Sequence, residues 1–281
     1  MVRAYGSYEA LLEDGAADLV YIALPHSHHC EWALASLDAG KHVLCEKAFA
    51  ANAAQTRRML TRAKEKKRLL AEAIWTRYMP SRGLISEVIA SGRLGQIVAL
   101  SANLGYRIDG HKRIIRSELA GGALLDLTVY PLNFAAMVLG NDVKRIAASC
   151  VMTETGVDGM DNVLLEYAGG QAASLFTTIY ALTDRRGMVY GTDGILEVEN
   201  INNPCALRIW SPDRDAPRLL ETIDIPKQIS GYEYEVLACR RAIESGALEC
   251  PEMPHAETLR IMEQMDTIRA AFGIRYPFEE D

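Results

Sequence analysis

Long apolar runs, cationic excess, CxxC cysteine pairs and the GxG glycine spacing are all missing from this 281-residue chain, and each absence removes a class of protein. No uninterrupted apolar run approaches the ~18 residues that cross a bilayer. The first ten residues also lack a positive segment followed by an apolar one, so neither membrane association nor an export signal is expected. Lys plus Arg total 30 against 37 Asp plus Glu, a net charge of -7, which gives no general attraction for nucleic acid or an anionic membrane surface. A small-molecule partner fits better. The six cysteines, Cys30, Cys45, Cys150, Cys205, Cys239 and Cys250, form no CxxC pair, which excludes a dense disulfide framework and reads as reduced, mostly buried thiols of a cytoplasmic protein. Nowhere are two glycines separated by a single residue, so the GxGxxG turn that cradles a pyrophosphate is absent from these residues.

What is there is a globular composition: 49% hydrophobic and 24% charged, with 21 glycines and 10 prolines. At roughly 150 residues per domain the length allows two domains. The apolar run 19–24 stops at Pro25 and reads as a buried parallel strand. Trp32, Ala33, Leu34 and Leu37 follow at helical spacing, Gly40 closes that helix, and residues 42–45 give a second strand. Asn52 is a fair N-cap for an amphipathic segment over 53–67, whose last turn carries Lys64, Lys66 and Lys67 where the helix dipole favours cations. A third strand is expected over 69–73. Strands separated by helices predict a parallel sheet with right-handed crossovers, so residues 1–78 read as part of a doubly wound, Rossmann-like α/β domain.

From residue 79 the pattern becomes α+β. A helix after Pro80 carries Leu84, Ile85, Val88 and Ile89 and ends at Gly92. Strand-like segments occupy 97–105, 145–152, 162–167, 172–180, 188–190, 195–198, 207–210 and 219–225, with turn signals at Gly169-Gly170 and Asp193-Gly194. A large, mostly antiparallel open sheet is therefore expected over 79–281, with helices at 123–139, 232–245 and 257–272.

Two places carry candidate chemistry. The first strand ends in Leu24-Pro25-His26-Ser27-His28-His29, a His-rich loop at the carboxyl end of a parallel strand, where ligands sit in open α/β sheets. The second ends in Cys45-Glu46-Lys47, an acid and a base at the matching edge, so both would line one crevice. His26, His28 and His29 have no separate ligand cluster to complete a metal site, and no metal is expected.

These blocks, together with Gly40-Lys41-His42-Val43-Leu44-Cys45-Glu46-Lys47, Glu72-Ala73-Ile74-Trp75-Thr76-Arg77-Tyr78 and Gly121-Gly122-Ala123-Leu124-Leu125-Asp126-Leu127-Thr128-Val129-Tyr130-Pro131, resemble the glucose-fructose oxidoreductase, inositol dehydrogenase and rhizopine-catabolism (Gfo/Idh/MocA) oxidoreductases. The resemblance is greatest to the dihydrodiol and NADP-linked xylose dehydrogenase branch. It is supported at the end of the chain by Cys250-Pro251-Glu252-Met253 and Gly273-Ile274-Arg275-Tyr276-Pro277. It implies hydride transfer between NADP or NAD and a carbinol of a sugar, cyclic polyol or trans-dihydrodiol. Ala23, Leu24, Pro25, His26, His29, Glu46, Lys47 and Arg113 would contact the cofactor, and Lys47, Tyr130 and Asp126 would be catalytic. The chemistry asks for such groups: a carbinol loses its hydroxyl proton as hydride leaves, so an acid/base and a cation near that oxygen both lower the barrier. Tyr130 is expected as the acid/base, with Lys47 lowering its pKa. Asp126, four residues earlier, would face the same way on a helical turn and orient either partner, with a kink at Pro131.

Three departures from the family pattern matter. The glycine-rich unit is absent, so roughly the first sixty residues of the family pattern, about two βαβ turns, are expected to be missing, either because the protein starts upstream or because dimerisation or swapping protects a shortened sheet. The run 19–24 then becomes an apolar sheet edge, which invites a homodimer or higher homo-oligomer. Ala48 replaces the proline of the family's Glu-Lys-Pro, freeing the loop behind Lys47, and Thr128 replaces a glycine and is expected to crowd the cofactor. The alternative reading is a catalytically silent ligand-binding or regulatory relative that has lost dinucleotide binding.

Overall fold

The computed structural model describes residues 3–279. A short helix α1 (Tyr8–Glu13) leads into β1 (Leu19–Ile22), α2 (His26–Asp38), β2 (His42–Glu46), α3 (Ala53–Lys66) and β3 (Leu70–Ala73). The strands form a parallel sheet in the order β1-β2-β3, with Leu19 opposite His42 and Val43 opposite Leu70. Val43, Leu44, Cys45, Leu70 and Ala71 are buried, as expected of strands covered on both faces. β1 is the sheet edge, and its Tyr21 is exposed. The Asn52 side chain accepts the Gln55 N–H and starts α3, and Lys64 and Lys66 lie in its last turn, as read from the sequence.

Residues 26–29 correct the expected loop. They form the first turn of α2, with Pro25 as the N-terminal cap residue at φ -59°. That φ is set by the proline ring, and histidine carries no strong bias against a helix, so nothing local delays the start.

The chain then builds α4 (Pro80–Ala90), β4 (Ile97–Gly105), α5 (Lys112–Ile115), a π turn (Leu124–Thr128) and α6 (Val129–Leu139). Next come β5 (Val143–Met152), β6 (Asp158–Tyr167), β7 (Ala172–Thr178), β8 (Gly187–Gly191), β9 (Ile195–Val198), β10 (Ala206–Trp210), β11 (Leu219–Asp224), α7 (Tyr232–Glu244) and α8 (His255–Phe272). The eight-stranded sheet runs β11-β10-β9-β8-β4-β7-β6-β5 and is antiparallel at every pairing except β4 with β7. The expected partial Rossmann-like sheet followed by a large, mostly antiparallel sheet is the observed architecture.

One face of the large sheet is covered by α6 and α8, and α8 also packs on α3 of the first sheet. The opposite face leaves Val151, Met152 and Leu164 exposed. Residues 117–139 contain one helical stretch long and apolar enough to cross a membrane by length and composition, which the search for uninterrupted apolar runs missed. It is 78% buried inside the fold, so its apolar side chains face the core. All six cysteines are free thiols; Cys30, Cys45, Cys239 and Cys250 are buried, and Cys205 is exposed.

Candidate active site

The carboxyl ends of β1, β2 and β3 open into a crevice of about 370 Å³ lined by Ala23, Leu24, Pro25, His26, Glu46, Lys47, Ala73, Trp75, Arg113, Asp126, Tyr130 and Tyr232. Every sequence-predicted site residue except His29 is in this set. Backbone at 23–25 and the turn after β2 supply one side. The π turn and the start of α6 supply the other.

Lys47 follows β2 directly and crosses the crevice. Its Nζ donates to the Asp126 carbonyl at 2.7 Å and to Asp126 Oδ1 at 3.1 Å. Arg113 Nη1 donates to the same Oδ1 at 2.7 Å. Burial alone would raise the Asp126 carboxyl, but the charges of Lys47 and Arg113 outweigh it and hold the group well below the usual carboxylate range. Asp126 is therefore an ionised anchor for two cations.

Of the two expected partners it holds Lys47; Asp126, on the π turn, and Tyr130, at the start of α6, line the same crevice as the four-residue spacing predicts. Pro131 lies where the π turn runs directly into α6, so its missing N–H leaves an upstream carbonyl without its usual backbone partner. Tyr130 meets Lys47 through its ring, with Nζ 5.0 Å from the centroid. Burial, then the charges of Glu46 and Asp126, push the Tyr130 phenol well above its ordinary value. The expected lowering by Lys47 is thus reversed: the lysine's hydrogen bonds go to Asp126, and the carboxylates and desolvation dominate the phenol.

His26 is buried, and its Nδ1 lies 2.8 Å from the Ala120 carbonyl. A carbonyl can only accept, so Nδ1 carries the hydrogen and Nε2 is left with its lone pair. Burial, with His29 nearby, pushes this imidazole down to about 3 and keeps it neutral.

Residues 1–73 match the NAD-binding Rossmann fold of the oxidoreductase family, and residues 84–197 match the GFO/IDH/MocA C-terminal domain. A trans-1,2-dihydrobenzene-1,2-diol dehydrogenase of Danio rerio is 33% identical, over 98% of this chain and 83% of its own. The chain belongs to the GFO/IDH/MocA oxidoreductase family. Another GFO/IDH/MocA relative is the D-xylose 1-dehydrogenase (NADP(+)) of Hypocrea jecorina, 32% identical over 98% of this chain and 78% of the relative. Among solved structures, a 3-ketoreductase from Actinomadura kijaniata, in complex with NADP and TDP-benzene, superposes with a TM-score of 0.85 at 27% identity, covering 95% of this chain and 82% of the other.

Two departures from the GFO/IDH/MocA pattern have structural outcomes. The Lys47–Ala48 peptide is cis. Thr128 does not crowd the crevice, because it is buried and turned inward, donating from Oγ1 to Asp161 Oδ2 at 2.6 Å. His29 is fully buried behind the crevice, with Nδ1 2.9 Å from the Ala48 carbonyl and Nε2 2.8 Å from the Leu24 carbonyl. Burial lowers its pKa, and the neutral ring has one N–H to give to one of these two carbonyls, so it packs between the crevice-lining loops instead of facing a ligand. Among the described residues, no group of three or more His, Cys, Asp or Glu side chains is placed to hold a metal ion.

Sequence reasoning missed Trp75, Ala73 and Tyr232. Trp75 follows β3, so the strand-end rule already used for Lys47 would have found it and Ala73. Its ring stacks on Tyr232, with centroids 4.8 Å apart and planes 19° from parallel, and its Nε1 donates to Asn202 Oδ1 at 3.0 Å. Tyr232 arrives from α7 and no local signal marks it. Glu46 accepts the Tyr21 hydroxyl at Oε1 and the Lys47 N–H at Oε2, which fixes its carboxylate at the crevice rim.

Proposed function

We propose that this chain is an NAD(P)-dependent oxidoreductase that interconverts a carbinol and a ketone on a sugar, cyclic polyol or trans-dihydrodiol. The observation that carries the reading is the meeting of Lys47, Asp126 and Tyr130 in one crevice at the carboxyl ends of parallel strands. The dihydrodiol and xylose dehydrogenases and the NADP-bound ketoreductase support it by likeness. The residues present fit the nicotinamide end of a dinucleotide: Ala23, Leu24, Pro25 and Trp75 give apolar walls for a flat ring, while Glu46, Lys47 and Arg113 give polar partners for its amide and ribose. When bound, the nicotinamide accepts or returns the hydride.

This chain's residues handle the oxygen and its proton. Tyr130, held neutral by its surroundings, keeps its hydrogen at neutral pH and donates it to the ketone oxygen in the reducing direction. The Lys47 ammonium, pinned by Asp126, stabilises negative charge growing on that oxygen. In the oxidising direction Tyr130 takes up the carbinol proton after passing its own to solvent, so alkaline pH favours oxidation. His26 keeps an acceptor at Nε2 for a polar group of the ligand. Trp75 and Tyr232 wall the crevice where a substrate ring would lie.

Residues 1–78 would hold the cofactor and residues 79–281 the substrate and the contact with a second copy. The open face of β5, β6 and β7, with Leu164 and Val151 exposed, supports a homodimer through the sheet. Six free thiols support a reducing, cytoplasmic setting. The test is titration of the purified chain with NADPH and NADH, followed by nicotinamide fluorescence, then a screen of sugars and diols. Saturable binding and turnover are expected. No binding at millimolar cofactor would replace this reading with a silent relative.

A further inference from the structure

Behind the crevice, on the far side of the π turn, β6 presents two buried carboxyl groups, Asp158 and Asp161. Asp158 Oδ2 accepts the N–H of Leu124, the first residue of the turn. Asp161 Oδ2 accepts the hydroxyl of Thr128, the last, and Thr128 Oγ1 also lies 2.5 Å from Thr177 Oγ1. The turn that carries Asp126 is therefore gripped at both ends by neighbouring acids. Gly122 makes this possible: its φ is +117°, and a Cβ there would sit 2.2 Å from Asp158 Oδ1.

Neither acid forms an ion pair among the described residues, and Oδ1 of each is buried without a hydrogen-bond partner. The two buried carboxyls are close enough for each to act on the other's ionisation. Two buried carboxyls this near, with no cation to meet them, do not both ionise readily, and a proton held between them lets one donate to the other. We propose that Asp158 and Asp161 share one proton and together act as a clamp that positions the π turn, so that Asp126 presents both its carbonyl and its carboxylate to Lys47. Both are positioning residues; the link to turnover rests on the oxidoreductase reading above, while the clamp and its proton do not.

The other titratable groups facing the pair are Cys150 from β5, Tyr180 after β7 and Tyr276 after α8. Burial pushes the Cys150 thiol up to about 11 and raises both phenols, so none of the three ionises between pH 5 and 9. Burial likewise raises both acids, Asp158 to about 6. Over this range the only change behind the turn is loss of the shared proton, which leaves a second buried negative charge with no cation to meet it.

Two variants test the clamp. In Asp161→Asn the amide N–H replaces the shared proton and the amide oxygen still accepts from Thr128, so the Tm should match the parent within roughly 2 °C at pH 5 and exceed it at pH 9. Thr128→Val removes the hydroxyl that links the end of the turn to Asp161 and, beside it, to Thr177. It should free Lys47 from Asp126, read as a several-fold faster acylation of the Lys47 amine by acetic anhydride in peptide mass spectrometry, and lower kcat about tenfold with NADPH affinity unchanged. If Asp161→Asn loses Tm with rising pH as the parent does, or is already unstable at pH 5, no proton is shared. If Thr128→Val leaves Lys47 labelling at the parental rate, the acids do not position the turn. Faster Lys47 labelling in Thr128→Val, in a chain that turns nothing over, would keep the clamp and remove the oxidoreductase reading alone.

Discussion

Lys47 gives two hydrogens of one ammonium to a single residue, the carbonyl and the carboxylate of Asp126, at 2.7 and 3.1 Å. This double contact fastens the loop after β2 to the π turn before α6, so one side chain joins the two sheets' contributions to the crevice. The amine's remaining hydrogen is the one available to a ligand oxygen. Its charge stays in place because Asp126 is kept ionised by Lys47 and Arg113 together.

Lys47→Ala should reduce kcat/KM by at least about a hundredfold, the usual cost of losing a preorganised donor to a developing oxyanion. Asp126 would keep Arg113 as a partner, so the fold should survive. Steady-state kinetics alongside a thermal melt separates the two. Turnover within a factor of two of the parent would remove Lys47 from the chemistry.

Tyr130→Phe removes the hydroxyl and leaves the ring that faces the Lys47 amine. A loss of about 10² to 10⁴ in kcat is expected, with cofactor affinity nearly unchanged. The parent phenol stands well above its ordinary value, so ketone reduction should hold steady across neutral pH instead of falling near 6.5. His26 adds no limb there, because its imidazole is already neutral. A reduction profile with a pKa near 6.5 that persists in Tyr130→Phe would assign the acid elsewhere.

The parallel strands, their helices and the open sheet were legible because period and caps are local: Asn52 does cap α3, and Gly169-Gly170 does lie between β6 and β7. The crevice was legible for a topological reason, since residues after parallel strands converge on one edge, which placed Lys47 and Glu46 correctly. The π geometry of the turn that carries Asp126 was not. Whether a turn is α or π depends on what grips it, and here the grips are Asp158 and Asp161, more than thirty residues downstream in sequence on β6. His29 failed for the same kind of reason, because only the fold reveals that both ring nitrogens face carbonyls. Tyr232 is brought to Trp75 by α7 from the far end of the chain, a contact no window of sequence contains.

Gly231 offers a test of that aromatic wall. It has φ +98°, and a Cβ there would come within 2.8 Å of Met79 Cε and 3.0 Å of the Trp75 ring. Gly231→Ala combines left-handed backbone strain with a clash, so about 1 to 3 kcal/mol of stability should be lost. The rotation forced on Tyr232 should raise KM for substrate more than it lowers kcat. A variant with parental Tm and KM would show that the Trp75–Tyr232 stack tolerates displacement and does not shape the site.

Buried ionisable groups set the pH dependence of stability. Glu72 and Glu235 are buried, and desolvation pushes their carboxyls up to about 7 and about 8. Between the ordinary value of 4.5 and those folded values, the native chain holds protons that the unfolded chain has released, so stability falls as pH rises through that window. His26 works on the other side: its folded value of about 3 against 6.5 means that the unfolded chain takes up a proton that the native chain refuses, so stability falls as pH drops below 6.5. The depressed Asp126 adds to that acid limb below its ordinary 3.8. Because the raised acids outnumber the depressed groups that titrate above pH 5, the Tm measured without cofactor should peak below neutrality and decline from pH 6 to pH 8. Glu235→Gln removes one contributor of about 1.4 kcal/mol per pH unit within its window, and should visibly flatten the decline. A parent Tm that is level or rising from pH 6 to pH 8 would mean that these two carboxyls find cations or water in solution and are not held neutral by burial.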